Sequence, residues 1–238
     1  MTLHIDTDWG RITPYPIMII LSFAAGIGAM YLLNIKSGVR KRIAAYLSLL
    51  APFMSIFGGM LLTYITTLGK GMGLSSVGGL VGMYAAVITI ALIGRDRSEC
   101  RKMLTSCTLT LPLMYSISKI GCLTAGCCRG VAYNGLFCIE YTGKMTGHIC
   151  VFPVQLAETL VFLAIFITGM VLFTKKSRYT ELFIIIASVL GKIGLDFLRV
   201  SHTGKIISLN QSLCLVIAAA GIAYYKLSKR SETVNEKI

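Results

Sequence analysis

The sequence predicts an all-α integral membrane protein, a bundle of about seven transmembrane helices, and three observations lead to this class. Of the 238 residues, 55% are hydrophobic and only 14% are charged, and the mean hydropathy is +0.75. Soluble domains usually contain about a quarter charged residues, so this balance excludes an ordinary soluble protein. Apolar runs long enough to cross a bilayer recur along the chain, and basic residues gather in alternate connections between them.

Seven apolar runs fill most of the chain. They are predicted as spans near 16–33, 44–68, 74–93, 103–125, 154–173, 181–197 and 209–225. The fourth contains Lys119 and the sixth contains Lys192 and Asp196, so we expect these two to score worst on a hydropathy window. Little sequence lies between the runs, which favours one membrane domain over residues 1–238. Two aspartates and no basic cluster precede the first run, so we expect that run to remain as a span.

The distribution of the basic residues predicts which side of the membrane each connection occupies. Fifteen of the 23 lysines and arginines fall in the connections after spans one, three and five and in the tail, whereas six fall on the other side. By the positive-inside rule the N-terminus lies outside and the tail, 226–238, is cytoplasmic. The same bias accounts for most of the net charge of +13, so no nucleic-acid partner is expected.

The longest connection, 126–152, falls on the predicted outer side and is rich in Gly, Tyr, Cys and Thr. Long ordered loops in compact proteins often carry function. Cys127, Cys128, Cys138 and Cys150 lie on this side, where disulfides persist, so one or two bridges are expected there. The eight cysteines do not form the paired CxxC spacing of zinc sites, and no metal is expected.

Ionisable residues at membrane depth are functional candidates because burying a charge in lipid is costly. Lys119 lies in the outer half of span four, and Glu158 follows Gln155 near the outer end of span five. Lys192, Asp196 and Arg199 recur at spacings of four and three residues on one face of span six. One interpretation is a snorkelling lysine and a structural ion pair. The other is a single cavity that binds an anionic headgroup, with Arg199 suited to grip phosphate bidentately.

The order of several motifs resembles the prolipoprotein diacylglyceryl transferases of the bacterial cytoplasmic membrane. Tyr15 opens the first span, and the segment LSSVGGLVG, with Gly78 and Gly79, opens the third. The remaining matches are KIGCLTAGCCRG from 119 to Gly130, FPVQLAE from 152 to 158, KIGLDFLR from 192 to 199 and GKIISLN from 204 to 210. The resemblance covers nearly the whole chain and is closest to a divergent branch with a GC and GCC pattern.

The resemblance implies a specific reaction. The family transfers the diacylglyceryl group of phosphatidylglycerol to the thiol of the lipobox cysteine in prolipoprotein signal peptides, and releases glycerol phosphate. It implies no cofactor, and an active site at the outer leaflet. Carried over by position, the catalytic candidates are Tyr15, Lys119, Glu158 and Arg199. The substrate-binding candidates are Gly78, Gly79, Cys122, Cys127, Gly130, Gln155, Lys192 and Asp196.

This chain departs from the family pattern at four positions. Val77 and Phe152 stand where the family commonly has histidine, Cys122 where it has asparagine and Cys127 where it has glutamate. His148 or His202 would be alternative bases. Two other functions therefore stay open: a transferase that uses the same lipid donor on another acceptor, and a non-catalytic lipid-binding or thiol-redox membrane protein.

Overall fold

The computed structural model describes residues 2–6, 14–69, 71, 73–94, 97–142, 150–200 and 211–223. These residues are mostly helical, and each described helix overlaps one of the predicted apolar runs. The helices are α1 (Pro14–Lys36), α2 (Lys41–Thr66), α3 (Ser76–Gly94), α4 (Arg97–Thr124), α5 (Val154–Thr174), α6 (Thr180–Asp196) and α7 (Gln211–Ala223). His148, His202, the segment 204–210 and the tail 226–238 lie outside the described residues.

Four of these helices, α1, α2, α3 and α5, are long and apolar enough to cross a membrane. Helix α4 has 28 residues, but its first two turns are charged and it carries Lys119 near its end. Helix α6 has only 17 residues and contains Lys192 and Asp196. The outer surfaces of the helices expose large apolar side chains such as Phe53 and Leu92, each 72% exposed. Such surfaces suit contact with lipid, as expected for an integral membrane protein.

Helix α4 lies at the centre and packs against α1, α3, α5 and α6. Helices α2 and α3 form a close hairpin, because Gly78 and Gly82 of α3 lie directly against the backbone of α2. A Cβ atom at Gly82 would overlap the carbonyl oxygen of Met54, and one at Gly78 would overlap the carbonyl oxygen of Gly58. Glycine is needed at both positions so that the two helices can approach this closely.

A small three-stranded sheet joins the N-terminal segment to the α4–α5 connection. Strand β1 (Thr2–Asp6) pairs in parallel with β2 (Cys138–Thr142), which pairs antiparallel with β3 (Cys150–Val151). A disulfide joins Cys138 to Cys150, which answers the question of pairing that the sequence left open. The all-α expectation did not include this sheet. Its longest-range pairing joins segments more than 130 residues apart, and no local pattern encodes such a partner.

The bundle has two chemically different ends. At the loop end, α4 and α6 finish and α5 begins, next to the sheet and to residues 126–142. At the basic end, the C-termini of α1 and α5 lie next to the N-termini of α4 and α6. There a cavity of roughly 390 Å³ is lined by Lys36, Arg101, Lys176, Arg178 and Glu181, among other residues.

Candidate active site at the loop end

The carboxylate of Glu158 is the centre of a buried cluster of charges. Its side chain is fully buried, and three cationic side chains converge on it. Lys119 Nζ lies 3.1 Å from Oε2, Lys192 Nζ lies 3.4 Å from Oε1, and Arg199 Nη2 also contacts Oε1. The three cationic residues are themselves at most 8% exposed. The structure therefore brings together ionisable residues that the sequence placed on three different spans.

The local structure explains why these side chains meet. Lys119 lies one to two turns before the end of α4, and Glu158 lies in the second turn of α5. Arg199 follows the end of α6, where its backbone pairs with that of Gly130 in an antiparallel bridge. Two hydrogen bonds flank this bridge, from Val131 N to Leu198 O at 3.0 Å and from Val200 N to Arg129 O at 3.1 Å. The α4–α5 connection thus fixes the position of Arg199.

Gly130 has a steric role in this arrangement. A Cβ atom at this position would overlap the carbonyl oxygen of Phe152. The three backbone segments around Gly130, Phe152 and Arg199 can lie this close only because residue 130 has no side chain. Phe152 packs edge-on against Tyr133, with ring centroids 5.4 Å apart.

Tyr115 is a member of the cluster that the sequence reasoning missed. Its hydroxyl donates a hydrogen bond of 2.7 Å to Glu158 Oε1 and accepts one from Lys192 Nζ. Lys119 Nζ and Lys192 Nζ also lie 4.8 Å and 4.9 Å from the centre of its ring. The signal in the sequence was the spacing, since Tyr115 precedes Lys119 by four residues and so shares its helix face.

The charges in the described part of the cluster do not balance. Lys119, Lys192 and Arg199 face two carboxylates, those of Glu158 and Asp196, the latter with Oδ1 3.5 Å from Arg199 Nη1. One positive charge is left over among these five groups. In addition, the buried Nε of Arg199 has no hydrogen-bond partner within the described residues. A buried donor without a partner is costly, so this group is suited to an anion that enters the site.

Gln155 connects the charge cluster to the cysteine-rich end of α4. Its Nε2 donates to the carbonyl oxygen of Cys127 at 2.7 Å and lies 3.1 Å from the hydroxyl of Tyr141. The Sγ atoms of Cys122, Cys127 and Cys128 all lie within 4.8 Å of one another. The spacing of the cysteines in the sequence gave no indication of this group, because the chain reverses between the first of them and the other two.

The surroundings shift the pKa values of two of these thiols, Cys127 and Cys128, in opposite directions. Hydrogen bonds from the Cys122 and Cys127 thiols hold the pKa of the Cys128 thiol far below its usual range, and Lys119 and Arg199 act in the same direction. The pKa of Cys127 is raised, chiefly because its thiol shares hydrogen bonds with its two neighbours. Their surroundings thus favour the charged form of Cys128 and disfavour that of Cys127.

The other predicted site residues occupy different places. Tyr15 lies at the start of α1, close to Gly121 of α4 and near the three thiols. Gly78 and Gly79 instead face α2, where Gly79 lies next to the side chain of Ser55. The structure thus brings Tyr15 to the loop end and places the two glycines in the α2–α3 contact.

Residues 6–227 match the prolipoprotein diacylglyceryl transferase family, which is nearly the full length of the chain, and the protein therefore belongs to that family. No curated protein matches the chain. Membership supports a transferase of lipoprotein biosynthesis, with lipid and prolipoprotein substrates in general.

Proposed function

We propose that this protein transfers the diacylglyceryl group of phosphatidylglycerol to the thiol of a lipobox cysteine, with formation of a thioether and release of glycerol phosphate. The observation that carries the proposal is the buried cluster of Lys119, Lys192 and Arg199 around Glu158, with its excess positive charge. The phosphodiester of a phospholipid is the anion that a membrane supplies to such a site.

In this reaction the acceptor thiol loses its proton to the solvent, and its sulfur attacks the glycerol carbon that carries the phosphate. A C–S bond forms as the C–O bond breaks, and its electron pair goes to the phosphate oxygen. Arg199, through Nε and its other donors, and Lys119 would bind that phosphate as its charge grows. Cations that bind the leaving group more strongly than the intact diester lower the barrier.

Glu158 and Tyr115 act as positioning residues in this proposal. The negative charge of Glu158 holds three cations close together. Without this charge the cations would repel one another. The Tyr115 hydroxyl lies between Glu158 and Lys192 and fixes the direction of both side chains. A preorganised site of this kind needs little rearrangement when the charge of the leaving group develops.

The proposed topology has the loop end at the outer leaflet of a bacterial cytoplasmic membrane. Strand β1 pairs with β2, which places the N-terminal segment on the same side as the α4–α5 connection. The basic cavity lies at the opposite end of the bundle. Both facts support an orientation with the basic end in the cytoplasm, by the positive-inside rule. In this proposal seven helices span the membrane, including α4 and α6, whose charged residues face the site and not the lipid.

The test uses the purified protein in vesicles that contain phosphatidylglycerol with a labelled headgroup glycerol. We expect release of labelled glycerol phosphate that requires both the protein and a lipobox peptide, and loss of that release with Arg199→Ala. Vesicles of phosphatidylethanolamine labelled on the headgroup ethanolamine should release no labelled ethanolamine phosphate. If the folded protein released no labelled glycerol phosphate from the phosphatidylglycerol vesicles, the proposal would be contradicted.

A second candidate function keeps the donor and changes the acceptor. It is favoured by the cysteines at 122 and 127, which stand at the mouth of the site where family members have polar groups of a different shape. Release of glycerol phosphate that depends on a cell extract, and not on the lipobox peptide, would support this alternative.

A further inference from the structure

The end of α4 carries three thiols that the transfer reaction as described does not use. Cys122, Cys127 and Cys128 place three Sγ atoms within 4.8 Å of one another. None of the three belongs to a disulfide, whereas Cys138 and Cys150 on the same connection are bridged. The group is therefore a set of three identical soft donors, and an odd number cannot be consumed by internal pairing.

The backbone gathers these thiols by a sharp reversal. Cys122 lies in the last turn of α4, and the chain turns back at Gly126, whose φ is +63°. The amide of Cys127 then donates to Cys122 O at 3.2 Å. Cys128 adopts a φ of +54°, which side-chain-bearing residues rarely do. Gln155 fixes the turn by its 2.7 Å hydrogen bond to Cys127 O, so the three donors are held by residues from two helices.

The geometry fits a thiophilic cation. At the usual Zn–S distance, sulfur atoms around a tetrahedral zinc lie about 3.8 Å apart, a separation that small side-chain rotations give from this arrangement. Three thiolates on Zn²⁺ leave one net negative charge. Two cations close in sequence would offset it: Lys119, three residues before Cys122 on the same helix, and Arg129, which directly follows Cys128. Three protein ligands with a fourth position open are typical of catalytic zinc, whereas structural zinc has four.

We propose that Cys122, Cys127 and Cys128 bind a zinc ion whose fourth coordination position takes the acceptor thiol of the reaction. This inference rests on the proposed function only in taking the acceptor to be a thiol. It replaces the expectation from cysteine spacing that the protein holds no metal. Within the described residues the one histidine, His4, pairs with Glu140 in the sheet, with 3.2 Å between Nδ1 and Oε2. The described part of the site thus contains no imidazole base that would take the thiol proton.

Zinc would activate the thiol without an imidazole base, because a thiol that coordinates zinc is deprotonated at neutral pH. The acceptor S–H proton leaves to water as the Zn–S bond forms. A lone pair of the bound sulfur then attacks the glycerol carbon of the donor, and the C–O bond breaks with its electrons on the phosphate oxygen. The neutral thioether is a weak zinc ligand and dissociates. Atoms and electrons balance without an oxidant or a reductant.

Metal content provides a test that does not depend on activity. Protein purified in the presence of a non-thiol reductant and passed over a chelating resin is expected to retain about one zinc per chain. Replacing it with Co²⁺ should give the charge-transfer absorption of cobalt thiolates. Cys122→Ser, Cys127→Ser and Cys128→Ser should each weaken metal binding by at least about tenfold. Cys100→Ser, a free cysteine near the start of α4, is the matched control and should keep the metal.

The cobalt protein also reports on the acceptor. A lipobox peptide should increase the thiolate-to-cobalt absorption, and the same peptide with serine in place of its cysteine should not. This measurement uses the wild-type chain, so it stays informative if a cysteine variant fails to fold. No zinc in reduced wild-type protein, or zinc retained by the triple serine variant, would overturn the proposal. A disulfide within the trio as the stable form of the protein would overturn it as well.

The outcomes separate this inference from the proposed function. Zinc bound to the trio in a protein that never releases glycerol phosphate would contradict the function and leave the metal site standing. Transfer at the full rate by metal-free protein would contradict the binding of the acceptor thiol to zinc during the reaction and leave the function standing.

Discussion

The two ends of the helix bundle both concentrate basic residues, but they differ in how those residues are surrounded. At the loop end, Lys119, Lys192 and Arg199 are buried around the fully buried Glu158. At the basic end, Lys36 and Lys176 are exposed and line an open cavity.

Membrane topology alone explains the basic end. Cations in contact with water carry little energetic penalty, and their position on this side follows the positive-inside rule. Buried cations are costly, and the loop end retains three of them. A fold that needed only stability would not be expected to keep this arrangement, so the loop end is where function is to be sought.

Removal of the Glu158 carboxylate should have the largest effect on stability, and it is the strongest test of the difference between the two ends. Glu158→Gln leaves three buried cations without their shared anion, and we expect a loss of about 3–5 kcal/mol in the free energy of unfolding. The measurement is chemical denaturation in detergent micelles. Glu181→Gln at the basic end is the matched control, with an expected loss within about 1 kcal/mol. Equal losses from the two variants would remove the distinction between the ends.

The next largest effect is on catalysis. Arg199→Ala should lower kcat/KM for the lipobox peptide by about 10²–10³-fold, as for removal of one donor from an anion-stabilising site. Arg199→Lys should recover only part of this, because lysine lacks the planar fork that holds phosphate at two points. Arg101→Ala at the basic end should keep the wild-type kcat/KM. A loss with Arg101→Ala as large as that with Arg199→Ala would contradict the assignment of function to the loop end.

A glycine substitution tests whether the α2–α3 contact is a matter of packing and independent of both ends. Gly82→Ala places a methyl group against the carbonyl oxygen of Met54, and we expect a loss of about 1–3 kcal/mol in stability. In contrast, a Cβ atom at Gly28 meets no atom within 4 Å, so Gly28→Ala should not lower stability. Thermal unfolding of the two variants, with transfer measured per folded protein, provides the check. Unequal transfer rates would mean that the contact also shapes the site.

The smallest predicted effect concerns the ion pair between Arg40 and Glu99 at the basic end. Hydrogen bonds from Arg40 hold the pKa of Glu99 below its usual value. The pair therefore adds stability above about pH 4, and this contribution is lost as the pH falls through the lowered pKa of the folded state. Because the Arg40 side chain is 62% exposed, we expect a contribution of at most about 1 kcal/mol.

The unfolding midpoints of the wild type and Arg40→Ala, compared over this pH range, test this prediction. The difference between them should be present at neutral pH and should shrink in acid. A difference that grows in acid would show that the sign is wrong.

Much of the helical scaffold could be predicted from the sequence, because a run of apolar residues long enough for a bilayer is a local property. The charged residues of the cluster could also be proposed, since Lys192, Asp196 and Arg199 share one helix face by their spacing. Tyr115 could have been found in the same way, four residues before Lys119. Its apolar neighbours made it look like an ordinary packing residue.

Other features could not be predicted because they depend on contacts between distant segments. The pairing of β1 with β2 follows from the closure of the whole bundle. So does the choice of Cys138–Cys150 over other bridges, since these cysteines lie on the two paired strands β2 and β3. The three-thiol group needs the turn at Gly126 and a hydrogen bond from α5, neither of which is visible in the spacing of the cysteines.

The most direct test is the mass of a lipobox substrate in membranes that lack the host's own lipoprotein transferase and contain this protein instead. We predict that the substrate gains the mass of one diacylglyceryl group, and that Arg199→Ala abolishes the gain while Arg101→Ala preserves it. No gain in mass from folded, inserted protein would contradict the proposal that the buried cations at the loop end support diacylglyceryl transfer.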